Sequence, residues 1–228
     1  MINIVFDLSN MFFRSMFIVG GFGSKKYTFD NQNEIDQLIR KVSTDISYII
    51  RQTSASRIIF ALDSKSWRKN INIEENEGYK GHREKSKFIN WDNIYAAMED
   101  FGDILESNGF ISSKIENAEA DDIMALWTEH LMNEHKQHVL LVSSDEDIRQ
   151  LVNVVPYDRN KNIFSVVYNP FASSKKKRKL FVPEHFEEWL NKEDEGDIFN
   201  RGVDIDKQDF IRLRDTENIQ LEKIDGPI

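Results

Sequence analysis

Asn117-Ala118-Glu119-Ala120-Asp121-Asp122 runs directly into Ile123-Met124-Ala125-Leu126-Trp127, and the reading of that junction decides the fold. The apolar run predicts a helix, and Glu119, Asp121 and Asp122 crowd its first turn. Positions three apart share a helix face, so Glu119 and Asp122 point the same way, with Asp121 beside them. A helix amino end rewards one or two acids through the macrodipole, by about 0.3 to 1 kcal/mol each. A third acid adds repulsion and calls for a cation. Whether the stretch is a charged helix start or a metal site depends on which other carboxylates converge on it.

Three strand-like runs supply them. Ile2-Asn3-Ile4-Val5-Phe6 is short, apolar and suited to a buried strand, and it ends at Asp7. Arg57-Ile58-Ile59-Phe60-Ala61-Leu62 ends at Asp63, and His138-Val139-Leu140-Leu141-Val142 ends in Ser143-Ser144-Asp145-Glu146-Asp147. Taken alone, Asp7 reads better as a helix cap or turn acid before Met11-Phe12-Phe13. The repetition changes that reading. Between the strands lie amphipathic helices: Glu34 to Thr53, with Ile35, Leu38, Ile39, Val42, Ile46, Ile49 and Ile50 at helical spacing, and Trp91 to Ser107, stopped by Gly109. Phe110 to Ile115 is a further short strand leading into the acidic junction.

Strands alternating with helices imply an α/β fold with a mostly parallel sheet and right-handed crossovers. In such sheets the carboxyl ends of the strands share one edge, where ligands bind. Asp7, Asp63, Asp145 and Asp147 would therefore gather near the amino end of the helix carrying Glu119, Asp121 and Asp122. So many carboxylates in one crevice require metal. Oxygen donors without a neighbouring Cys or His favour a hard cation, Mg²⁺ with Mn²⁺ as substitute, and a site this rich can hold two ions. Two ions about 4 Å apart suit in-line attack on a phosphodiester.

The composition is compatible with this reading. The 228 residues suffice for one α/β domain with a full core, hydrophobic residues make up 40%, and there are 4 Pro and 10 Gly. No run reaches the 18 or so apolar residues of a membrane span, and Met1-Ile2-Asn3 lacks a basic signal start, so the expected location is the cytoplasm. The absence of Cys excludes thiol catalysis, disulfides and cysteine-bound zinc. A net charge of −9 argues against nucleic acid only as an average. Basic residues concentrate in Lys65 to Lys87 and in Lys175-Lys176-Lys177-Arg178-Lys179.

Between Ser64 and Asn90 helical periodicity fails. The stretch carries Lys65, Trp67, Arg68, Lys69, Tyr79, Lys80, His82, Arg83, Lys85 and Lys87. Solvated charge is the ordinary reading of such a run. Cations mixed with rings directly after Asp63 suggest a clamp that contacts phosphates and stacks on bases. The Gly20-Gly21-Phe22-Gly23 loop lacks the Lys-Ser/Thr ending of a phosphate-binding loop. Downstream, Ile148 to Val152 reads as a short helix, and Val154-Val155 and Ile163 to Tyr168 as edge strands. From Pro183 the chain turns acidic, with Phe186 and Trp189 marking a short helix, and Asn218 to Ile228 gives no clear element.

Ala118-Glu119-Ala120-Asp121-Asp122 and Ser143-Ser144-Asp145-Glu146-Asp147-Ile148-Arg149-Gln150-Leu151, placed after Asp7 and Asp63, resemble the FEN-like 5′-nuclease family, in particular its bacteriophage ribonuclease H or 5′-to-3′ exonuclease branch. The resemblance covers roughly residues 1 to 170. It implies a three-layer α/β/α PIN-like domain over 1–170 with a basic arch at 64–90. Residues 171–228 would then be a basic linker and acidic segment, the start of a truncated helix–three-turn–helix domain. By resemblance Asp7, Asp63, Asp121 and Asp145 ligate the metal nearest the scissile phosphate, and Glu119, Asp122 and Asp147 complete the wider cluster. Arg68 and Lys80 match the family's basic residues that reach the cleaved phosphate. Lys65, Trp67, Lys69, Tyr79, Arg83 and Lys87 belong to the nucleic-acid-binding arch.

The implied substrates are DNA and RNA–DNA duplexes with 5′ flaps or nicks, including RNA primers, and the products carry 5′-phosphates. Replication proteins such as a single-strand-binding protein are the implied partners, with no membrane, in the host-cell cytoplasm of a phage-encoded protein. The chain departs from the family in one respect. The Gly-Asp-x-x-Asp motif of the helix–three-turn–helix domain is missing, because Gly196-Asp197 and Asp204-Ile205-Asp206 have the wrong spacing. Two other functions fit parts of the pattern. A PIN-type ribonuclease for single-stranded RNA shares the acidic edge without needing so long a loop, and a non-catalytic nucleic-acid-binding relative would have no reason to keep every acid.

Overall fold

The computed structural model describes residues 1–21, 27–66, 86–159, 161–172 and 180–185. Strand β1 (Ile2–Asp7) leads into helix α1 (Leu8–Gly20), and α2 (Gln32–Gln52) follows before β2 (Ala55–Leu62). Then come α3 (Trp91–Ser107), β3 (Ile111–Lys114), α4 (Ala120–Glu129) and β4 (His138–Val142). A 3₁₀ turn at Asp147–Leu151 precedes β5 (Asn153–Asp158), β6 (Lys161–Tyr168) and the two-residue β7 (Leu180–Phe181).

The strands form one seven-stranded sheet in the order β3-β2-β1-β4-β6-β5, with β7 also on β6. From β3 to β6 every pairing is parallel, while β5 and β7 run antiparallel to β6. Ile163 to Tyr168 is thus not an edge strand as its sequence suggests. It pairs with β4 on one side and with β5 and β7 on the other, so it is interior, and Ser165 within it is buried with its hydroxyl donating to the Leu151 carbonyl at 2.6 Å.

Period-2 alternation in the central strands divides the core between the two faces. Ile4, Phe6, Phe60 and Leu62 pack with α1, α2 and α3, whereas Val5, Ile59, Ala61 and Leu141 pack with α4. Phe6 stacks on Phe60 across the β1–β2 pair, with ring centroids 5.0 Å apart. Helix α4 is buried nearly all round, from Ala120 through Thr128. Among the described residues no helix is long and apolar enough to cross a membrane.

The strand order matters for the site. Strands β2 and β3 are added on one side of β1 and β4 and β6 on the other, so the chain reverses direction across the sheet between β1 and β4. Such a switch point leaves a crevice beyond the strands' carboxyl ends. Asp7 ends β1 there, and Ser143 directly follows β4.

Candidate metal centre

Asp7 is buried at the carboxyl edge of the sheet, where β1 becomes α1. One carboxylate oxygen caps α1 by accepting the Asn10 N–H at 2.9 Å, and the other accepts the Ser143 hydroxyl at 2.9 Å. Asp7 is therefore both the helix cap that it resembles in isolation and the centre of the acidic group. Burial and, next, the charge of Asp63 raise its pKa well above the usual carboxylate range; the hydrogen bonds from Asn10 and Ser143 pull the other way, and the Asp145 charge adds a smaller upward push.

Asp63 is held from two sides. Its backbone N–H donates to the Ser9 hydroxyl at 3.0 Å, and its Oδ1 accepts the Ala120 N–H at 2.7 Å, at the first residue of α4. The next residue along, Ser64, donates its N–H to the Ala118 carbonyl at 2.9 Å. The end of β2 is thereby tied to the amino end of α4. Asn117 takes a left-handed backbone, φ 64, just before that helix, a conformation Asn tolerates better than most residues.

Asp145 is exposed and is positioned by the loop after β4. Its N–H donates to the Ser143 hydroxyl at 3.0 Å, so that one hydroxyl links Asp7 to Asp145. Asp145 Oδ1 in turn accepts the Asp147 N–H at 3.2 Å. The same loop is gripped by α1. Asn10 Oδ1 accepts both the N–H and the hydroxyl of Ser144, at 3.0 and 2.8 Å, and Arg14 Nε donates to that hydroxyl at 2.8 Å.

At the start of α4 the three acids behave differently. Glu119 is the N-cap residue, and its N–H donates to Asp122 Oδ2 at 3.0 Å in a reciprocal capping box. Asp122 is fully buried against the helix end. Asp121 is partly exposed, and its Oδ1 accepts the Asp122 N–H at 2.8 Å. The geometry gives Asp122 a structural task and leaves Asp121 and Asp145 nearer the solvent side.

Residue patterns did not single out Ser9, Asn10, Arg14, Ser143 or Ser144. The available signal was polar residues placed immediately after strand ends, where Ser9 and Ser143 are buried with at least one partner each. Of the basic and aromatic positions, Lys65 and Lys87 are described, and both are exposed, near the two ends of the 64–90 stretch. Trp67, Arg68, Lys69, Tyr79, Lys80 and Arg83 lie outside the described residues, as do Lys175 to Lys179 and Trp189.

The donors collected at this edge are carboxylate oxygens, the set that suits a hard divalent cation. A cation would offset both the burial and, next, the charge of Asp63 that raise the proton affinity of Asp7. A mostly parallel sheet with acids gathered at its switch point defines a PIN-like α/β domain. More narrowly, the chain belongs to the family described as 5′-3′ exonuclease, N-terminal resolvase-like domain, whose model matches residues 3–186.

Among solved structures, the chain is similar to the zinc-bound 5′-exonuclease of bacteriophage T5, at 20% identity and a TM-score of 0.56. That alignment covers 84% of this chain and 61% of the other. It is also similar to the T5 flap endonuclease in a pseudo-enzyme-product complex with DNA and metal ions, at 19% identity, a TM-score of 0.55, and coverage of 98% and 84%. A T5 protein co-crystallised with metal ions matches at 17% identity and a TM-score of 0.52, and there too the chain spans 61% of the other's length. At these identities the likeness is one of fold. No curated protein matches by sequence.

Proposed function

We propose that the protein is a divalent-metal-dependent 5′-to-3′ exonuclease and flap endonuclease that hydrolyses phosphodiester bonds in 5′ flaps or RNA primers during replication. The observation that carries this reading is the hydroxyl of Ser143, which donates to Asp7 and accepts from Asp145, at a switch point where Asp63 is pinned to α4. Asp7, Asp63, Asp121 and Asp145 are the proposed ligands, with Glu119 and Asp147 around them. Mg²⁺ is the proposed ion, bound as a pair, with Mn²⁺ as substitute. When bound, such ions neutralise the phosphate and lower the pKa of an attacking water.

The chain's own residues do the positioning. Asp7 and Asp63 are held by backbone N–H groups and so present fixed oxygens to a cation. Asp121, partly exposed, and Asp145, exposed, are assigned to the side from which the phosphate enters. Net hydrolysis adds water across the P–O3′ bond, leaving a 5′-phosphate on one product and a 3′-hydroxyl, with the water's proton, on the other. Arg68 and Lys80 are assigned to the scissile phosphate. The proposed arch over 64–90, with Lys65, Trp67, Lys69, Tyr79, Arg83 and Lys87, is assigned to the single-stranded 5′ end, since this basic and aromatic stretch directly follows Asp63 in the sequence. A single-strand-binding protein at the replication fork is the proposed partner.

The test is cleavage of a 5′-labelled flap duplex, a 5′-labelled RNA primer on DNA and an unpaired RNA, each with Mg²⁺ and with chelator. Short labelled products from the first two, in Mg²⁺ only, are expected. Cleavage confined to the unpaired RNA would contradict the proposal.

A further inference from the structure

Helix α4 ends at Glu129, and the chain then widens into a π-turn over His130–Glu134. Such turns are rare and sit disproportionately at functional sites. Along an α-helix, residues five apart are rotated about 140° from one another, so His130 and His135 would face different directions. The wider turn, closed by the His135 N–H to the His130 carbonyl at 3.3 Å, brings them together. The rings meet edge to face with centroids 4.6 Å apart, and their Nε2 atoms are 3.1 Å apart.

Glu134 completes the group. Its Oε2 lies 3.0 Å from Nδ1 of His130. A carboxylate only accepts, so Nδ1 carries the proton and the Nε2 lone pair of a neutral ring is directed at His135. A carboxylate behind one ring nitrogen and a lone pair on the other is the usual arrangement of a metal-binding histidine. On a tetrahedral zinc ion with bonds of about 2.0 to 2.1 Å, neighbouring nitrogens lie about 3.3 Å apart. The 3.1 Å observed is close to that spacing. One ligand atom from each of His130, Glu134 and His135 falls within 4.8 Å of the others.

The site is also held in place. The His130 ring packs edge-on against the buried Trp127, with centroids 6.0 Å apart. Lys136 turns left-handed at φ 53, and the Gln137 N–H closes back onto the Leu131 carbonyl at 3.0 Å. The negative end of the helix dipole also favours a cation.

We propose that His130 and His135, with Glu134 orienting His130, form a second metal site that takes a nitrogen-preferring divalent ion such as Zn²⁺, its remaining positions filled by water. Imidazole suits Zn²⁺ and its transition-metal neighbours, whereas Mg²⁺ keeps to oxygen. The ten residues of α4 span about 15 Å, so this site and the carboxylate crevice lie at opposite ends of the helix. Its effect is to staple the π-turn that delivers the chain into β4.

The test is calorimetric titration of the metal-free full chain with Zn²⁺ in excess Mg²⁺, for the wild type, His135→Gln, Glu134→Gln and Asp145→Asn. One Mg²⁺-resistant Zn²⁺ per chain is expected in the wild type and in Asp145→Asn. Affinity should fall about tenfold to a hundredfold in Glu134→Gln, and binding should be lost in His135→Gln. Glu134 is exposed and His135 is partly so, and both variants should unfold in chelator with the wild-type midpoint. Zn²⁺ binding that survives His135→Gln, that vanishes in Asp145→Asn, or that is absent from the wild type would overturn the proposal.

Discussion

The two ends of α4 carry opposite chemistry on one short helix. Its amino end meets the carboxyl edge of the sheet, where Asp63 accepts the Ala120 N–H and the acids of β1, β2 and the β4 loop converge. Its carboxyl end carries His130, Glu134 and His135, brought together by a local widening of the backbone. The first group comes from separate strands and exists only once the sheet has formed. The second lies within six consecutive residues. What separates the two is therefore the range of the interactions that build them, along with the hardness of their donors. Long-range assembly at a switch point draws its donors from several strands and the helix between them, while the local turn draws all of its donors from one partly exposed segment.

The comparison is broken most severely by changes in the crevice. Asp63→Asn or Asp121→Asn should lower flap cleavage in saturating Mg²⁺ by roughly a thousandfold, about 4 kcal/mol of activation free energy. His135→Gln should leave that rate within about twofold, since it touches no group at the other end of the helix. Single-turnover assays on purified variants check both.

Metal removal sharpens the contrast through stability. At a hundredfold excess over its Kd, Mg²⁺ should stabilise the wild type by about 2.7 kcal/mol, and chelator should abolish that gain. Asp7→Asn should lose the Mg²⁺ effect and yet melt a few degrees higher than the wild type in chelator at neutral pH. The sign follows from the raised folded-state pKa of Asp7. Its contribution to stability is fully present below the unfolded value of 3.8 and is lost as pH rises through the higher folded value. Asn keeps the helix cap without that loss. Melting curves in chelator between pH 4 and 8 should show the wild type falling relative to Asp7→Asn.

Smaller effects separate positioning from ligation. Ser143→Ala removes the hydroxyl shared by Asp7 and Asp145, and should slow cleavage about tenfold or more while costing about 1 to 2 kcal/mol in stability. Asp122→Ala should do the reverse. Losing the carboxylate that accepts the Glu119 N–H should cost about 1 to 2 kcal/mol, with cleavage of the folded fraction changed by no more than a few-fold. A loss as deep as that of Asp121→Asn would place Asp122 among the metal ligands after all.

Much of this architecture was legible from pattern. Apolar runs ending in Asp7, Asp63 and Asp145 gave the parallel strands, and the helical spacing from Ile35 to Ile50 gave α2, because burial on both sheet faces and on one helix face leaves distinct periods. Strand order was not legible. Nothing local distinguishes Ile163 to Tyr168 as interior, since that depends on which strands return to it. Nor does spacing reveal that Asp122 turns inward as a cap while Asp121, one residue earlier, stays partly exposed. Asn10 and Ser143 serve a loop more than a hundred residues away in sequence or receive from one, and their types alone are common in turns.

The most direct test of the central claim is cleavage of a 5′-labelled flap duplex by the wild type and Asp145→Asn at equal concentration in Mg²⁺. Metal-dependent release of short 5′ products, reduced at least a hundredfold or so in the variant while its fold and flap binding persist, is the predicted result. Equal cleavage by both proteins, or cleavage that survives chelator, would contradict it.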